Sequence, residues 1–67
     1  MSYNSYRIRM ERLQDLIKRE CTGNIDELSH KLGISRRTLL HDISTLRDDG
    51  LLIKYSKHRE TYYYESQ

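Results

Sequence analysis

The chain has 67 residues, 12 of them Lys or Arg and 10 Asp or Glu, for a formal net charge of +2. That length fits one domain spanning residues 1–67, and a chain so short buries only about 60% of its unfolded surface, so dimerisation would add useful stability. The single cysteine excludes an internal disulfide framework and fits a reducing, cytoplasmic compartment, while the longest aliphatic run, Leu51-Leu52-Ile53, falls far short of the roughly 20 residues of a membrane span.

Met1 to Asn4 carries no pattern and reads as a frayed end or flexible arm; no apolar run follows it, so it has no signal-peptide character. Tyr6, Met10, Leu13 and Ile17 then recur at i, i+4, i+7 and i+11, with Leu16 beside them, and predict a first amphipathic helix. Arg7, Arg9, Arg12, Lys18 and Arg19 alternate with Glu11, Asp15 and Glu20 over much of the remaining surface. Cys21-Thr22-Gly23-Asn24 ends that helix, and Cys21 reads as a small, partly buried residue.

The stretch from Ile25 to Gly50 is the most specific in the chain. Ile25, Leu28 and Leu32 mark one face of a second helix, with Asn24 as its N-cap and Glu27 at capping-box spacing. Gly33 closes it, since a left-handed residue there costs glycine nothing. Ser35 is the next N-cap, and Ile34 before it can pack on Leu39 as a hydrophobic staple. One helix thus ends and another begins within a few residues, as a helix-turn-helix requires. Leu39, Ile43 and Leu46 bury the third helix, and Gly50 stops it.

With those three aliphatics inward, a turn of about 100° per residue places Arg37, His41, Ser44 and Asp48 on the opposite side. Arg36 and Thr38 flank them in the first turn, and Asp48-Asp49 mark the far end. Arginine offers a planar fork that matches guanine O6 and N7, and threonine can touch a thymine methyl. A helix of this kind normally enters the major groove N-terminus first. The same residues also make an ordinary solvated helix start.

Leu51 to Tyr55 and Glu60 to Tyr64 are rich in β-branched and aromatic residues and predict a hairpin with Ser56-Lys57-His58-Arg59 at its tip. Lys54, Lys57 and Arg59 could grip phosphate, and an arginine at the tip could enter the minor groove. Tyr55, Tyr62 and Tyr64 read as packing residues; Tyr63, pointing the other way by strand alternation, is the one expected at the surface. From Ser35 to Arg59 there are six basic against three acidic residues, or +3, leaving −1 for the remainder. The positive excess therefore sits on the third helix and hairpin, and binding to a polyanion should depend steeply on salt.

Catalysis finds no support in the residue spacing. Cys21 has no local base, and His30, His41 and His58 fall on different elements. No zinc-ligand spacing, phosphate-cradling glycine loop or nucleophile elbow occurs. Neither an enzyme nor a metal or other cofactor is expected.

The run Gly33-Ile34-Ser35-Arg36-Arg37-Thr38-Leu39, then Asp42-Ile43, Leu46 and Gly50-Leu51-Leu52, resembles the N-terminal winged helix-turn-helix of bacterial regulators of the DeoR and WYL-domain type. Arg12-Leu13 and Leu16-Ile17 match the first helix of such domains, Asp26-Glu27-Leu28 and Lys31-Leu32 the second, and Tyr62-Tyr63-Tyr64 the second wing strand. Two features depart from the pattern. The positions after Leu39 are commonly basic in these domains but are Leu40 and His41 here, and such regulators usually carry a C-terminal ligand-sensing domain, whereas this sequence stops at Gln67.

The resemblance implies a mostly α (α+β) fold, a three-helix winged helix-turn-helix with a C-terminal two-stranded β-hairpin wing. It implies sequence-specific binding of double-stranded DNA in transcription regulation. Arg36, Arg37, Thr38 and His41 would read bases or adjoining phosphates, Ser35 would cap the helix and touch phosphate, and Lys54, Lys57 and Arg59 would hold the backbone. The competing expectation is a protein-interaction module in which the basic helix docks an acidic partner and the hairpin extends a partner's sheet. A homodimer is the hypothesis that the small core motivates; no membrane partner is expected.

Overall fold

The computed structural model describes residues 3–65. Helix α1 spans Tyr3–Arg19, α2 Ile25–Leu32 and α3 Arg36–Asp48, followed by strands β1 (Ile53–Ser56) and β2 (Thr61–Tyr64). The strands pair antiparallel, with Ile53 opposite Tyr64 and Ser56 opposite Thr61. This is the winged helix-turn-helix architecture expected from the sequence.

One core joins all five elements. Met10, Leu13 and Ile17 of α1 meet Leu28 of α2, Leu39, Ile43 and Leu46 of α3, and Ile53 and Tyr62 of the hairpin. The helical periodicity thus places the core as read, with one exception. Tyr6, at the start of the α1 stripe, is 48% exposed. Burial raises the hydroxyl pKa of Tyr62 and of Tyr64 above the ordinary tyrosine range.

All three helices end by the same device. The N–H groups of Glu20 and Cys21 bond to the carbonyls of Ile17 and Leu16 at 3.0 and 3.1 Å. Gly33 and Ile34 bond to His30 and Ser29, both at 3.1 Å, and Gly50 and Leu51 to Arg47 and Leu46 at 2.9 and 3.2 Å. These are the paired bonds of the Schellman motif, which needs a left-handed residue at its pivot. Gly33 and Gly50 supply it with φ of 69° and 99°, but at the end of α1 the pivot is Glu20, with φ 57°.

The structure corrects several local expectations. The unpatterned arm foreseen over Met1–Asn4 lies outside the described residues at Met1 and Ser2, whereas the backbone of Tyr3 and Asn4 already belongs to α1. Leu51 and Leu52 are not in the first strand, because Leu51 spends its N–H closing α3; the hairpin tip shifts accordingly to residues 57–60. Cys21 is exposed rather than partly buried. Of the hairpin tyrosines, Tyr62 and Tyr64 pack as expected, but Tyr55 and Tyr63 do not follow the expectation. Tyr55 is 37% exposed, while Tyr63 is half-buried beneath the Arg59 guanidinium, 5.6 Å from the ring centroid. Strand β2 lies against α1, so Tyr62 takes the buried place, with Tyr55 directly across the ladder from it, ring centroids 4.8 Å apart.

Candidate nucleic-acid interface

The α2–turn–α3 unit is built on local polar bonds. The Asn24 side chain accepts from the Glu27 N–H at 2.9 Å, and the Asn24 N–H donates to Glu27 Oε1 at 3.0 Å, completing the capping box at the start of α2. Ser35 Oγ accepts from the Thr38 N–H at 3.1 Å and donates to Thr38 Oγ1 at the same distance. The cap therefore orients the Thr38 hydroxyl as well as satisfying an N–H at the start of α3. Ile34 packs against the core that contains Leu39, the contact a hydrophobic staple calls for.

The residues singled out on α3 divide by what holds them. Arg36 Nη1 lies 3.3 Å from Asp26 Oδ1 at the start of α2, and both side chains remain well exposed. Arg37 and His41 are exposed, and neither side chain has a polar partner among the described residues. Thr38 is half-buried, and Leu40 is 55% exposed. Leu40 thus meets solvent on the open side of α3.

On the wing, Lys54 Nζ sits 3.6 Å from a Glu65 carboxylate oxygen, and Lys57 is exposed in the turn. Arg59 Nη2 donates to Glu20 Oε1, so its guanidinium is held between the end of α1 and the ring of Tyr63. The Arg59 N–H is anchored in turn by Ser56 Oγ at 3.1 Å. Arg47, counted with the positive excess of this half of the chain, turns inward: its Nε and Nη2 donate to the Ile53 carbonyl at 3.2 and 2.9 Å and tie α3 to β1. Of the six cations between Ser35 and Arg59, Arg37 and Lys57 are thus the ones without a polar partner among the described residues.

Several residues outside the sequence-based selection prove structurally central. Asp42 is 1% exposed, and its two carboxylate oxygens accept from Arg9 Nε at 2.8 Å and Nη2 at 3.2 Å, linking α3 to α1. Thr22, fully buried between α1 and α2, accepts the Tyr62 N–H on its hydroxyl at 2.8 Å, and its own N–H donates to Thr61 Oγ1 at 3.2 Å. These bonds stitch the linker to the inner wing strand. Helical periodicity did place Asp42 beside the buried Leu39–Ile43–Leu46 stripe, which is the signal that could have marked it.

Among the described residues no helix is long and apolar enough to cross a membrane, and no group of three or more His, Cys, Asp or Glu side chains could hold a metal ion. The model of the family described as HTH domain matches residues 9–64, nearly the whole chain. The chain belongs to that HTH domain family. No curated protein and no solved structure matches it. For an HTH domain, the α2–turn–α3 unit is the expected DNA-facing part, and membership points to a DNA-binding regulator.

Proposed function

We propose that this HTH domain binds duplex DNA sequence-specifically and regulates transcription in the manner of the bacterial DeoR and WYL-domain regulators. Helix α3 enters the major groove by its N-terminal half. Arg37 and His41 meet base edges, Thr38 and Arg36 meet bases or the adjoining phosphates, and the exposed Ser35 lies at the helix entrance, where a phosphate would approach. Lys54, Lys57 and Arg59 contact the backbone from the wing. The observation that carries this reading is the free, outward Arg37–His41 pair on a helix whose opposite face is packed by Leu39, Ile43 and Leu46.

Arg36, Lys54 and Arg59 reach phosphate by exchanging one anionic partner for another. Their ion pairs are largely solvated and individually worth little, on the order of 0–1 kcal/mol, so the exchange is cheap. With a net charge of only +2, affinity from a single copy is modest, and a homodimer on a two-fold site would compensate. The lone cysteine suits a reducing cytoplasm.

The second reading, a protein-interaction module docking an acidic partner, is favoured by the exposure of Leu40 beside these cations. Binding-site selection from random duplexes, followed by mobility-shift titration, separates the two. A consensus site, with Arg37→Ala losing about 1–3 kcal/mol on it and relaxing one base position, is the expected result. Failure to shift any duplex at low salt favours the protein partner instead.

A further inference from the structure

Apart from Tyr62, the core that seats α3 is made of leucine, isoleucine and methionine side chains, whose attraction is non-directional and tolerates small rolls of a helix. Two contacts that seat α3 are directional: Arg47 on the Ile53 carbonyl near its C-terminal end, and Arg9 on Asp42 midway along it. Arg9 presents two N–H donors in a planar fork to both oxygens of Asp42, at 2.8 and 3.2 Å, and its outer face stacks on the ring of Tyr6, 5.1 Å to the centroid. Asp42 is 1% exposed and the Arg9 side chain 22%, so the bond is shielded from water on the α3 side. A buried pair of this kind is a poor source of stability, because the attraction is largely offset by desolvation, but it fixes geometry.

Asp42 is well placed for that purpose. It follows His41 directly and lies one helical turn after Thr38, so the pair acts on the segment that carries the proposed reading side chains. Side-chain tips travel at a radius of roughly 5–6 Å about a helix axis, so a roll of about 20° moves them by about 2 Å, enough to break a base-edge hydrogen bond.

We propose that Arg9 and Asp42 are positioning residues that set the roll of the recognition helix and thereby its sequence discrimination, without touching DNA. This rests on the reading of α3 as the recognition helix. It predicts a separation of effects: discrimination depends on the pair, whereas attraction to phosphate does not.

The test replaces the pair by apolar side chains, Arg9→Met with Asp42→Leu, which leaves net charge unchanged and strands no buried ion. Arg9→Lys, which keeps the charge but loses the fork, is measured alongside in case the double variant does not fold. Affinity for the selected site and for random duplex is titrated at several salt concentrations. In parallel, residual dipolar couplings report the orientation of α3 against α1 in the free protein. The expected result is unchanged random-duplex affinity and salt slope, a fall of about tenfold in the ratio of specific to random affinity, and a rotated or averaged α3. An unchanged ratio and unchanged couplings in a folded variant overturn the proposal. Should the wild-type protein prefer no sequence, the functional reading fails on its own; the couplings then decide the positioning role alone, with an unmoved α3 overturning it.

Discussion

Along the α2–turn–α3 unit, the capping bonds join residues that are close neighbours in the chain: Asn24 with Glu27, Gly33 with His30, Ile34 with Ser29, Ser35 with Thr38. Across the seams that join α1 to α3 and the α1–α2 linker to the wing, they join residues 33 to 40 positions apart: Arg9 with Asp42, Thr22 with Thr61 and Tyr62. The turn is exposed and made of caps, each worth about 1 kcal/mol and each able to form as soon as its helix forms. The seams are buried, and each bond exists only once the core has closed. The first region gives the molecule its helix-turn-helix; the second decides how that unit is held against the body and wing.

The comparison is broken most severely at Asp42. Replacing Asp42 by Ala strands a guanidinium that is mostly shielded from solvent, and the loss expected is about 3 kcal/mol. Urea denaturation of the variant measures it. The exposed pair on the turn side provides the contrast, with Asp26→Asn expected to cost less than about 1 kcal/mol. Equal losses at the two positions would mean that burial does not distinguish the regions. The hydroxyl seam comes next. Thr22→Val keeps the shape but leaves the buried Tyr62 N–H without an acceptor, at a cost of about 1–3 kcal/mol. Hydrogen exchange at the Tyr62 amide should accelerate together with the loss of stability; unchanged exchange would show that another acceptor has replaced the hydroxyl.

The same division explains what was legible in the chain. Asn24, Glu27, Gly33, Ser35 and Gly50 announce their roles within a few positions, because caps and left-handed pivots draw on neighbouring backbone. The stripes Met10–Leu13–Ile17 and Leu39–Ile43–Leu46 are equally readable from period alone. Asp42 was not, since its buried position acquires meaning only when Arg9 from another helix arrives. Nor was Thr22, a residue that turns and surfaces use freely, and here wholly buried by a strand far along the chain. The reversed exposure of Tyr55 and Tyr63 has the same origin. Alternation assigns the faces of a hairpin, but which strand lies inside depends on where α1 packs. On the candidate interface, Arg36, Arg37 and His41 were readable as surface, while the carboxylates facing Arg36, Lys54 and Arg59 come partly from elements far along the chain.

At the turn itself the expected effects are smaller. Ser35→Ala removes the acceptor for the Thr38 N–H and should cost about 1 kcal/mol, less than either seam substitution. It also releases the Thr38 hydroxyl, which Ser35 orients at 3.1 Å. Faster amide exchange confined to the first turn of α3, with the rest of the helix unchanged, is the signature of a local cap. Loss of protection throughout α3 would show instead that the turn and the seams unfold together.

The finest division is between two glutamates with the same backbone strain. Glu20 and Glu60 both occupy the left-handed region, with φ of 57° and 52°, where an L side chain pays roughly 1–2 kcal/mol that glycine avoids. Glu60 lies exposed in the wing turn, and its side chain has no polar partner among the described residues. Glu60→Gly should therefore stabilise the domain, by about 0.5–1 kcal/mol once glycine's larger unfolded-state entropy is set against the strain relieved. Glu20→Gly relieves the same strain but removes the carboxylate that holds Arg59 against Tyr63, so its gain should be smaller than that of Glu60→Gly. Thermal unfolding of the two variants side by side reads the difference directly. An equal gain would mean that the Glu20–Arg59 contact contributes nothing to docking the wing tip against α1.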